Sequence, residues 1–224
     1  MSDQKLLVLD TPAQAGIALR LRAGDVLVAL NGVEFHGDVP ELQQRFALGR
    51  RLALTFLRAG QYITVLSQTA ELGKWHQKSQ ELAPGAFKRI DPDYLSNWEV
   101  FRSPDGLYDV QRLDRSLLAL SAPVLWLLQM RMWRPLAAWV AMSLFASIAG
   151  LWAVAAVQLF MGLLCWRSGP DFVRAERRLR GLEPILILAA RSESAVHADV
   201  ARLHPDLIWV CAPIKTTQPS TADA

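Results

Sequence analysis

From Pro135 to Trp166 the chain carries no charged side chain, a run of 32 residues whose clearly polar members are Ser143, Ser147 and Gln158. Other shortages narrow the reading further. There are two cysteines, Cys165 and Cys211, and no CxxC pair or Cys/His cluster, so neither a disulfide framework nor a zinc site is expected. The net charge of +3 is too small to imply a nucleic-acid partner. The opening MSDQKLLVLD has too short an apolar stretch for a signal peptide, so the first domain is expected to stay on the side where it is made. HExxH, GxSxG, a P-loop and a dinucleotide-binding glycine pattern are all missing, and no lysine stands near the uncharged run to serve a Ser–Lys pair. His197 and His204 lie seven apart with no acidic or cysteine partner at matching spacing. The expectation is no enzyme, no metal and no cofactor.

The uncharged run admits three readings. As one helix it would be about 48 Å long, against about 30 Å of bilayer hydrocarbon. As two helices folded at Ala149-Gly150, each has about 16 residues, a little short of a full span. As a buried pair, it would sit inside a soluble protein or at an oligomer interface. Charge favours the second. Arg131 and Arg134 precede the run, and Arg167, Arg174, Arg177, Arg178 and Arg180 follow it. Flanking basic residues prefer the cytoplasmic side, and only a hairpin keeps both clusters there. The stretch 117–134 contains Pro123 and suits an interfacial or re-entrant helix. Trp126, Arg131, Trp133, Arg134, Trp166 and Arg167 are the expected membrane-interface residues. Ser143 and Ser147, one helical turn apart, fit helix packing or bonding back to carbonyls.

Residues 1–68 read as a small β-rich domain. Gly24-Asp25 is a turn, Val26–Leu30 a strand, and Asn31-Gly32 a two-residue turn. Asp38 with Glu41 three residues on forms a capping box for a helix that ends near Gly49. Leu52–Leu57 and Tyr62–Leu66 flank the turn Ala59-Gly60 as a hairpin. The string PAQAGIALRLRAGDVLVALNGVEF (Pro12–Phe35) resembles the bacterial PDZ pattern. That resemblance implies a module binding extended peptides by strand addition beside a helix. The strand would be Leu6–Leu9 and the helix Pro40–Phe46, with Leu7, Leu9, Leu42 and Phe46 as groove walls. The family's glycine-containing carboxylate loop has no counterpart in Met1–Lys5, and Asp3 would repel a carboxylate.

Residues 69–116 lack periodicity and are punctuated by Pro84, Gly85, Pro92, Pro104 and Gly106, with one short helix expected over Glu71–Leu82. They read as a linker or membrane-surface extension, with Trp75, Tyr94, Trp98, Phe101 and Tyr108 arguing for packing rather than disorder. In 167–214 a basic helix over Pro170–Arg180, suited to anionic headgroups or to a solvated face, precedes a strand–helix–strand segment. Residues 215–224 read as a flexible tail. The stretch Phe101–Trp133, with Trp126, Leu128, Arg131 and Trp133 as W-x-L-x-x-R-x-W, and Leu179–Gly181 beyond the apolar run, is similar to a family of small bacterial membrane proteins of unknown function. Leu182 stands where that family often has an aromatic residue.

The expected fold is therefore an α+β membrane protein: a small PDZ-like β-rich domain, a helical transmembrane hairpin over 135–166 with a preceding interfacial helix, and a small C-terminal strand–helix–strand segment. The expected role is a membrane-anchored interaction module, an adaptor, assembly factor or accessory subunit of a bacterial inner-membrane complex, with both termini cytoplasmic. Its partners would be other membrane proteins and lipid, with no nucleic acid. The alternative is a non-catalytic regulator presenting peptides to a membrane protease or secretion system.

Overall fold

The computed structural model describes residues 4–80 and 87–211. What was expected of Met1–Asp3, of Pro84 and Gly85 and of the tail 215–224 lies outside the described residues. The first unit runs β1 (Gln4–Pro12), α1 (Gln14–Ala18), β2 (Val26–Leu30), β3 (Val33–Glu34), α2 (Val39–Phe46), β4 (Leu52–Arg58), β5 (Gln61–Ser67) and β6 (Gly73–Gln80). Its sheet has the order β5-β4-β2-β1-β6, with β3 paired to β2. The local signals act as elementary chemistry requires. Asn31 and Gly32 take φ of 51° and 73°, the left-handed pair that reverses a tight hairpin. The Asp38 carboxylate accepts the Glu41 N–H at 2.9 Å and caps α2. Leu7, Leu9, Leu27, Leu42, Leu54 and Phe56 fill the core between sheet and helix.

The expected helix over Glu71–Leu82 is overturned, because Gly73–Gln80 is the strand β6, antiparallel to β1. Its period is two: Trp75 packs inward, stacked on Phe56 at 6.3 Å, while Lys74 and His76 face solvent. One apolar residue in a polar stretch was too weak a pattern to reveal the alternation.

A 3-10 turn at Pro92–Tyr94 leads to β7 (Ser96–Arg102) and β8 (Leu107–Arg112), joined by the expected turn at Ser103–Gly106. The stretch 69–116 therefore contributes three strands and is not a plain linker. Four helices follow: α3 (Leu117–Ser121), α4 (Pro123–Gln129), α5 (Trp133–Ile148) and α6 (Leu151–Leu179). The chain then returns as β9 (Glu183–Ala190), α7 (Glu193–Leu203) and β10 (Ile208–Trp209). The second sheet has the order β10-β8-β7-β9. The C-terminal strands pair with β7 and β8 rather than with each other, so they complete a sheet begun before the helices. The helical segment leaves this sheet after β8 and re-enters it at β9.

The two sheets meet at the edge of β5. Asn97 of β7 turns its side-chain amide onto the backbone of Leu66, accepting the N–H at 2.8 Å and donating to the carbonyl at 2.9 Å. A side chain thus satisfies both backbone groups that the edge strand presents there.

The fold is mixed α+β, with two sheets and one long apolar helix. That helix does not stop at Trp166. It runs on across Pro170 to Leu179, 29 residues or about 44 Å, so the apolar run and the basic stretch after it form one continuous element.

Candidate functional site

Helix formation in the uncharged run follows from its alanines, leucines and methionines. The turn between α5 and α6 falls at Ala149-Gly150, where Gly150 adopts φ 103° with nothing within 4 Å of its missing side chain. Around that turn the apolar side chains face outward. Phe145 is 79% exposed, Ile148 83%, Leu151 81% and Trp152 88%; Leu144, Leu159, Phe160 and Leu163 are exposed too. Only 17% of the most apolar stretch of α6 is buried, and among the described residues α6 alone is long and apolar enough to cross a bilayer. Such a patch on a water-soluble surface would be a large penalty. Ser147 donates back to the Leu144 carbonyl, which hides its hydroxyl within the helix.

Nearer the sheets the helices have partners. α3 and α4 close over α6 through glycines. A side chain at Gly162 would lie 2.6 Å from the Leu120 carbonyl, and one at Gly169 would lie 3.2 Å from the Trp126 ring. Trp126, Leu127, Met132, Met161, Cys165 and Val173 form the resulting core.

Beyond it the basic end of α6 meets the second sheet. Glu99 of β7 is 0% exposed. One of its oxygens accepts from Arg20 Nε and Nη2 at 3.2 and 3.1 Å, and the other from Arg174 Nε at 2.6 Å. Arg20 comes from the first unit at φ 58°, Glu99 from the second sheet and Arg174 from α6, so one carboxylate joins all three parts. Arg177 pairs with Asp109 of β8 at 2.8 Å, and Arg180 donates to Glu176 and to the Arg131 carbonyl. Beside this, Tyr108 bonds to His197 Nδ1 at 2.7 Å, and burial holds its phenol above the usual range. His204 ends α7. Among the described residues no group of three His, Cys, Asp or Glu side chains gathers as a metal site would require.

The expected site residues fall as follows. Leu7, Leu9, Leu42 and Phe46 come together, all buried in one core. The idea that a peptide adds to Leu6–Leu9 is overturned, since β1 is paired on one edge by β2 and on the other by β6. Of the expected interface residues, Trp126 is corrected: it is 4% exposed inside the helical core. Trp133 is exposed, as are Arg131, Arg134 and Arg167, while Trp166 is half-buried beneath the Arg115 guanidinium at 4.8 Å. The basic stretch is only partly available to headgroups, because Arg174, Arg177 and Arg180 are spent on protein carboxylates and Arg178 is exposed. Glu99 and Asn97 were missed. The strand Ser96–Arg102 reads SNWEVFR, with Arg102 a second charge, so Asn97 and Glu99, two apart on one face, read as a solvated face and nothing in the sequence marks them as buried. Comparison of the chain with protein-family models, with curated proteins and with solved structures yields no match.

Proposed function

We propose that this chain is a membrane-anchored interaction module, an adaptor or accessory subunit of a bacterial inner-membrane complex. Its α5–α6 pair enters lipid as a hairpin, with the PDZ-like first unit and the second sheet together on the cytoplasmic side. The observation that carries the reading is α6 itself. Its first half offers bare apolar side chains, and its second half is ion-paired into the sheets. A helix built so couples whatever holds its tip to whatever binds the head. The uncharged part of α5, residues 135–148, is about 21 Å long and that of α6, residues 151–166, about 24 Å, which matches a thinned or partly crossed bilayer core. The return of the chain to the sheet it left supports placing both ends on one side. Purification of the full chain from native membranes in mild detergent should bring down stoichiometric membrane partners; a solitary monomer would count against the adaptor role.

A second reading, presentation of peptides to a membrane protease or secretion system, is favoured by one feature. Among the described residues β6 pairs only with β1, leaving an edge open to strand addition. A screen of peptides against the full chain separates the two readings, since selective tail binding favours presentation and uniform indifference favours the scaffold.

A further inference from the structure

The seam between the two sheets holds a half-open cavity of about 490 Å³, within the range of small-molecule sites. Its wall is mainly apolar, made by Phe87, Ile90, Leu95 and Leu188 with the hydroxyls of Thr55 and Thr64 among them, and Tyr62 meets Phe87 edge to face at 5.3 Å. Its rim is cationic. Lys88, Arg89, Arg191 and Arg202 line it against a single carboxylate among the described lining residues, Asp199, which Arg202 already engages at 3.2 Å. Lys88, Arg89 and Arg191 have no described carboxylate partner, leaving three positive charges over a mainly apolar pocket.

The rim is positioned rather than adventitious. The Lys88–Arg89 backbone crosses Gly32 so closely that a side chain there would lie 2.0 Å from the Lys88 carbonyl. Ile90 N–H then bonds to the Asn31 carbonyl at 2.9 Å, pinning the segment to the β2–β3 turn. An adjoining cleft of about 810 Å³ shares Arg89, Ile90 and Arg191, but there Arg45 and Arg50 are offset by Glu34, Asp91 and Asp93. Counting the shared arginines, that cleft has four cations against three carboxylates among its described lining residues, so the larger positive excess lies in the first cavity, with four against one.

We infer that this cavity binds an organic phosphate, its phosphoryl group held by Arg89, Arg191 and Lys88 and its apolar or aromatic body against Phe87 and Leu188. Guanidinium forks match phosphate oxygens in pairs, and a bare inorganic ion would leave the apolar wall uncovered. The group has two possible sources, a soluble phosphomonoester or a lipid headgroup. The inference stands apart from the proposed adaptor role and does not depend on it.

The test is calorimetric titration of the full chain in neutral detergent with adenosine monophosphate, short-chain phosphatidic acid and inorganic phosphate. At least one organic phosphate should bind more tightly than inorganic phosphate. The double substitution Arg89→Gln with Arg191→Gln should weaken it roughly tenfold or more, as expected for charge-assisted hydrogen bonds. Both side chains are exposed, so the variant should keep its melting temperature. Ala195→Phe, which fills the cavity from α7, should weaken binding independently. Preference for the lipid analogue assigns a headgroup, and preference for the nucleotide assigns a soluble ligand. No binding of either organic phosphate at millimolar concentration, or binding unchanged in both variants, overturns the inference.

Discussion

At the scale of single residues, Glu99 decides how the parts hold together. A carboxylate with no exposure survives only because three guanidinium N–H groups reach it from two directions. Removing it strands Arg20 and Arg174, so Glu99→Ala should cost about 3 kcal/mol of stability, read from urea denaturation in detergent. Arg178→Ala, at an exposed position on the same helix, should change stability by less than about 0.5 kcal/mol. Tyr108 gives a pH signature. Its phenol is raised in the folded protein, so above the free-tyrosine range near pH 10 the unfolded chain loses a proton that the folded chain keeps. Stability should therefore fall as pH rises through that range, and Tyr108→Phe should flatten the slope in pH-dependent melting curves. Tyr108 is legible in the sequence as a packing aromatic, and the structure buries it, but Glu99 is not legible. The partners of Glu99 lie 79 and 75 positions away in the chain, and a lone Glu in a strand reads as an outward-facing charge.

At the scale of elements, the readable parts were those whose chemistry is local. The Asp38 cap, the Asn31-Gly32 turn and the β4–β5 hairpin around Ala59-Gly60 each rest on residues a few positions apart, and each formed as expected. β6 and β7 depend on what they pair with. β6 has one inward aromatic, and β7 has Asn97 and Glu99 where a strand pattern would place apolar or solvated residues, so tertiary contacts override the local signal. Two substitutions test these joints. Asn97→Leu removes both bonds to Leu66 and leaves the β5 edge unsatisfied; thermal unfolding should show a loss of about 1–3 kcal/mol. Gly162→Val forces a side chain into the Leu120 carbonyl, so α3 must lift from α6, costing roughly 1–3 kcal/mol. Its measurable sign is faster protease cleavage between α3 and α4.

At the scale of the whole molecule, the candidate groove and the candidate anchor had different fates. The residues expected as groove walls, Leu7, Leu9, Leu42 and Phe46, lie buried in one core, and both edges of β1 are paired, by β2 and by β6. The absence of charge from Pro135 to Trp166 was plain in the sequence, and the structure leaves that stretch largely uncovered. Legibility failed at its border: arginine at 167 marks a change of surroundings, not the end of a helix. The account thus rests on one arrangement, a hairpin in lipid with sheets on one side. Limited proteolysis of oriented membrane vesicles tests it. In inside-out vesicles, protease should strip both the first unit and the C-terminal strands and leave one protected fragment containing α5 and the start of α6. In right-side-out spheroplasts, the chain should survive intact. Cleavage of either end from the outer face, or digestion with no protected fragment, would contradict the account.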